Sequence, residues 1–192
     1  MPSNEDSISL LKKLDSANIV EGFRLSLNGV DGAPKPHPFK FYAEINIDNS
    51  RLWELFLRLA EELPEEAALI FGLEDEEPFY GNYLSRFALV SELSSYKKEL
   101  TEDTYIHWGI IYNDQEQLTE VFVPEGKYIA FWGVDQASFE NIMADFKLRQ
   151  VDNIEFHDEY PSVRVPLTTL DRAAISSDRL DSVLREKFQQ KP

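Results

Sequence analysis

Residues 118–148 constrain this chain most strongly. In LTEVFVPEGKYIAFWGVDQASFENIMADFKL, residues 118–123 carry a strand pattern, Pro124, Glu125 and Gly126 supply a turn, and 127–133 is a second strand. Asp135 then stands where a helix needs an N-cap. Behind it Phe139, Ile142, Met143 and Phe146 recur at three- and four-residue spacing. A helix that follows a strand pair this closely has one place to bury its apolar stripe, on the sheet. The pattern implies an α+β chain, mostly antiparallel sheet with helices packed on one face.

The rest of the chain supplies matching parts. Residues 1–6 read as a frayed terminus and Ser7–Leu14 as two marginal helical turns. Phe23–Leu27 alternates as a strand, and GVDGAPKPHP at 29–38 reads as a loop. Residues 39–47 alternate again, with Phe41, Ala43, Ile45 and Ile47 on one side and Tyr42, Glu44 and Asn46 on the other. Asp48, Asn49 and Ser50 are N-cap candidates for a helix to about Leu63, which Pro64 ends. The apolar run 67–72 reads as a central strand covered on both faces, and its position after a helix suggests a parallel β-α-β unit. Helix over 82–100, strand over 104–112, short strands at 153–157 and 162–167, and a charged helix from Ser177 or Asp178 to about Gln189 complete the chain.

Residues 41–59 and 128–146 match at a fixed offset of 87, strand for strand, Asp48 for Asp135, and helix position for helix position. Two duplicated β-α-β(β) halves about a pseudo-twofold, near 18–81 and 104–167, are one reading; two units built independently on the same rules are the other. Either way 192 residues suit a single domain, with 82–100 as an inserted helix and 178–189 as a C-terminal one.

Composition excludes several functions. With 35 acids against 19 bases the net charge is −16, and the lysines form no basic patch, so nucleic acid is not an expected partner. No apolar run approaches the ~20 residues of a spanning helix, the first residues lack a signal-peptide pattern, and there is no cysteine. A cytoplasmic protein without membrane partner, disulfide or thiolate site is expected. Oligomeric state is not readable. Residues 61–77 hold eight acids and no base. Glu74, Asp75, Glu76 and Glu77 there are either a solvated loop or a docking surface for a basic protein.

Catalytic signatures are lacking. There is no G-x-S-x-G, no glycine-rich phosphate loop and no H-E-x-x-H, and His37, His107 and His157 stand apart, so neither an enzyme, a cofactor nor a metal is expected. What remains is aromatic excess on strands: Tyr42, Trp108, Tyr112, Phe131 and Trp132. Core packing claims most of them. Yet both faces of 127–133 are apolar, and a second apolar face carrying Glu44 and Glu120 has the character of a ligand cavity or protein interface.

Glu120 to Trp132, EVFVPEGKYIAFW, resembles the strand-turn-strand of gyrase-inhibitor-like effector-binding domains, and Tyr105-Ile-His-Trp-Gly109 resembles the strand before it. The resemblance covers about Thr104 to Leu167. It implies duplicated halves around a shared pocket for small, often aromatic or cationic molecules. The family's closing-strand E-x-Y-x-P is replaced here by Ser162-Val-Arg-Val-Pro166, which puts Arg164 where the family has tyrosine and removes the acid that would meet a cation. Tyr42, Glu44, Trp108, Tyr112, Glu120, Phe131 and Arg164 are therefore the candidate ligand-binding residues. The expected function is non-catalytic binding of a small apolar molecule; the alternative is an acidic inhibitor or immunity-type protein acting on a basic partner.

Overall fold

The computed structural model describes residues 17–29 and 38–189. The expected helix at 7–14, most of the 29–38 loop and His37 lie outside the described residues.

The chain is α+β. Its sheet contains β1 (Gly22–Leu27), β2 (Phe41–Asn46), β3 (Glu66–Leu73), β4 (Phe79–Tyr80), β6 (Ile106–Asn113), β7 (Leu118–Val123) and β8 (Ile129–Gly133). They lie in the order β1-β2-β8-β7-β6-β3-β4, and β5 (Leu84–Ser85) adds to β3 beside β4. Every pairing between these strands is antiparallel. The β6–β8 meander stands as its alternation and turns imply. The parallel β-α-β unit does not: β3 pairs with β6, and the whole meander lies between β2 and β3. The helix between those strands only has to cross the sheet, and three later strands fill the gap it spans.

α1 (Asn49–Ala60) begins at Asp48, whose carboxylate accepts from the Ser50 N–H at 3.0 Å. Its stripe of Leu52, Trp53, Leu55, Phe56 and Leu59 is wholly buried on the sheet. The predicted 82–100 helix divides into α2 (Arg86–Leu93), a 3₁₀ turn at Ser94–Tyr96 and α3 (Lys97–Glu102), the break falling on the serines. α4 (Gln136–Asp145) starts at Asp135, which accepts from the Ser138 N–H at 3.1 Å. Asp135→Ala is expected to cost about 1 kcal/mol, a melting-temperature loss of roughly 2–4 °C by calorimetry. A one-turn α5 (Leu167–Leu170) and α6 (Ser177–Phe188) follow, α6 burying Leu180, Leu184 and Phe188.

The two strands expected at 153–157 and 162–167 are absent. Phe23 exchanges backbone hydrogen bonds with Arg149 and Val151, giving one parallel bridge to Gln150 at the outer edge of β1. The chain then leaves that edge, turns through a 3₁₀ segment at His157–Glu159, and Pro161 and Pro166 bracket a stretch that is neither helix nor strand. The first strand–helix unit thus continues into a core strand and the second into a single bridge.

One face of the sheet carries the main core. Phe41, Ala43, Ile45, Trp108, Ile110, Val121, Phe131, Leu69 and Phe71 point under the helices. Phe131 stacks on Phe139 of α4 at 5.5 Å, and Trp108 packs against Trp53 and Phe56 of α1 at 5.7 and 4.4 Å. Among the described residues the opposite face carries the small cluster Ala68, Ile70 and Ile111 with Phe122 against it.

Candidate functional site: the sheet face opposite the helices

Alternation and register together build this face. Tyr42 lies opposite Trp132, Trp132 opposite Glu120, and Glu120 opposite Ile111, so the four form one row across β2, β8, β7 and β6. The adjacent row runs Arg24, Glu44, Ala130, Phe122, Gly109 and Ile70. The Tyr42 and Trp132 rings meet at 4.7 Å. At Gly109 a side chain would strike the Val121 carbonyl and Phe122, so glycine leaves room for the Phe122 ring in the middle of the face.

Two carboxylates sit here in opposite circumstances. Glu44 is ion-paired with Arg24, whose guanidinium also lies 4.9 Å over the Phe156 ring. Among the described residues the Glu120 side chain has no hydrogen-bond or ion-pair partner, and burial pushes its carboxyl up to about 7. Tyr42 is pushed upward by burial and by the Glu44 charge, and Tyr80 by burial and by the charge on Glu120. One corner is covered: Phe156 packs on Tyr128 at 4.5 Å.

The other candidates fall elsewhere. Trp108 and Phe131 are 0% and 1% exposed on the helix side, so they offer a ligand no surface. In β6 and β8 both parities are apolar, and packing under α1 and α4 decided which residues face the helices. Tyr112 is on the helix side at the sheet's end, its hydroxyl 2.8 Å from Asp114 Oδ2. Arg164 lies in the irregular stretch between Pro161 and Pro166 and is ion-paired with Glu74. That pair leaves Asp75, Glu76 and Glu77 as the exposed part of the acidic turn, with Asp75 left-handed at φ 64°. The structure thus brings together Tyr42, Glu44 and Glu120 from the candidates, with Trp132 beside them.

Sequence reasoning passed over the Glu125–Lys127 turn as chemistry. The Lys127 ammonium is enclosed, donates to the carbonyls of Leu100 at 3.1 Å and Ile106 at 3.0 Å, and is pushed down to about 7 by burial. It ties the last turn of α3 to the start of β6. Glu125 shares a 2.7 Å hydrogen bond with His107 Nδ1, which holds its carboxyl below the usual carboxylate range. His107 Nε2 has no partner among the described residues and lies over Gly72, where even a methyl would clash with it. The only hint was proximity in sequence of an acid and a base to a tight turn.

No group of three or more His, Cys, Asp or Glu that could hold a metal occurs among the described residues. No helix among them is long and apolar enough to cross a membrane. The face offers aromatic surface and one carboxyl with no partner among the described residues. No protein-family model, curated protein or solved structure matches this chain.

Proposed function

We propose that the protein is a non-catalytic binding protein whose sheet face opposite the described helices holds a small apolar, aromatic molecule. The observation that carries this reading is Glu120, a partly buried carboxyl with no partner among the described residues, set beside Trp132, Ile111 and Phe122. Leaving such a group unpaired away from water costs stability, and carboxyls with raised pKa gather where ligands bind. Stacking on Tyr42 and Trp132 supplies the affinity; Glu120 orients a polar group on the ligand.

A panel of aromatic compounds followed by thermal unfolding tests this. A compound at a hundred times its Kd stabilises by about 2.7 kcal/mol. Trp132→Ala loses that rise, whereas Tyr112→Ala, on the other side of the sheet, keeps it. A panel without any stabilising compound, or an undiminished rise in Trp132→Ala, sinks the reading.

A second reading is favoured by the exposed Asp75–Glu77 turn on a chain of net charge −16: recognition of a basic protein by electrostatic steering. Its partner associates more slowly as salt rises.

A further inference from the structure

We propose that a second surface, the trough over the Gly126–Lys127 turn, takes an extended peptide segment of alternating basic and apolar residues from a partner protein. This rests on the reading of the protein as an acidic partner for a basic one, and it places the contact in the trough instead of on the exposed Asp75–Glu77 turn, which adjoins it through the Arg164–Glu74 pair.

Two cavities of about 480 and 550 Å³ meet at Asn49, Gly126, Lys127 and His157. Their walls are the start of α1, the end of α3, the β7–β8 turn and residues 157–165. Apolar side chains stand uncovered along the rim: Val163 is 93% exposed and Leu170 76%, and Val20 and Val165 are exposed too. Exposed apolar groups gathered round a cleft are a surface awaiting a partner.

The charges select that partner's chemistry. The two fixed cations in the wall are already occupied, Lys127 by the Leu100 and Ile106 carbonyls and Arg164 by Glu74. Glu102 and Asp158 are exposed in the wall, Asp158 also accepting from the Tyr128 hydroxyl. Entering basic groups therefore meet acids, while entering acids meet no unengaged lysine or arginine in this wall.

The backbone selects its conformation. Among the described residues, Ser162, Val163 and Val165 make no backbone–backbone hydrogen bond, and the Arg164 carbonyl accepts only from the Tyr105 hydroxyl. Backbone with open N–H and C=O groups between two prolines can pair with an added strand, whose alternate side chains would fall into the trough and toward solvent.

The test uses a fluorescent peptide of alternating arginine and valine, titrated with the full chain and followed by anisotropy, beside a peptide of alternating glutamate and valine. The first binds and the second does not, and added salt weakens the complex. Glu102→Lys with Asp158→Lys raises Kd on the order of tenfold, and Val163→Asp, a change at a solvent-facing side chain, does the same. If instead Asp75→Lys, Glu76→Lys and Glu77→Lys together abolish binding and the trough variants do not, the trough is overturned and the acidic-partner reading survives. If the arginine-valine peptide does not bind even at low salt, both are overturned.

Discussion

Trp108→Ala is expected to lower the free energy of unfolding by about 3–5 kcal/mol, the range for truncating a large aromatic in a packed core. The side chain is fully buried, stacked between the sheet and Trp53 and Phe56, and its Nε1 donates to the Leu100 carbonyl at 2.6 Å. Truncation opens a cavity beneath α1 and removes one of the two donors on that carbonyl, leaving the Lys127 ammonium. At roughly 2–4 °C per kcal/mol for a chain of this size, the melting temperature falls on the order of 10 °C. Urea unfolding measures it. A loss below about 1 kcal/mol would contradict the placement of Trp108 in the core. The loss is one of fold, and any accompanying loss of ligand binding in this variant follows from it.

Glu120→Gln is expected to act in the opposite direction and only above acid pH. In the folded chain burial keeps the Glu120 proton on up to about pH 7, whereas the unfolded chain releases it in the usual carboxylate range. Between those values the native state binds more protons, so stability falls as pH rises. The contribution of this group is full below the unfolded value and lost by the time the pH passes 7. The difference in pKa, discounted for partial exposure, corresponds to about 2–3 kcal/mol. Unfolding curves at pH 8 should therefore show Glu120→Gln more stable than the parent by about that amount, and curves at pH 4 should show no difference. Equal stability at pH 8 would mean that Glu120 is hydrated or paired, and the site would lose its reason.

The alternation of 41–47 told which residues of β2 look inward, because Phe41, Ala43 and Ile45 on one side and Tyr42, Glu44 and Asn46 on the other differ in polarity. Both helix starts were legible because Asp48 and Asp135 precede their apolar stripes. β6 was not legible in this way: His107, Gly109 and Ile111 on one parity are nearly as apolar as Trp108 and Ile110 on the other, and only α1 above them chose. Strand partners were illegible for a different reason. Periodicity describes a strand's faces and is silent about its neighbour, so nothing in 66–73 announces that β6, not β2, lies beside it. The failed strands at 153–167 share that cause. SVRVP alternates, but proline at each end and an occupied β1 edge leave it without a ladder. The meeting of Glu120 with Trp132 depends on the register across a tight turn, and the two are separated by the full β7–β8 hairpin.

The three tryptophans offer the most direct test of the ligand face. Trp53 and Trp108 are buried together under α1, and Trp132 is half-buried on the opposite side of the sheet. With nitrogen-15 labelled protein, the three indole N–H resonances report the two sides separately. Addition of a stabilising aromatic compound should move the Trp132 resonance and leave Trp53 and Trp108 in place. Movement of Trp53 or Trp108 with Trp132 unmoved would place the ligand on the helix side and contradict the account.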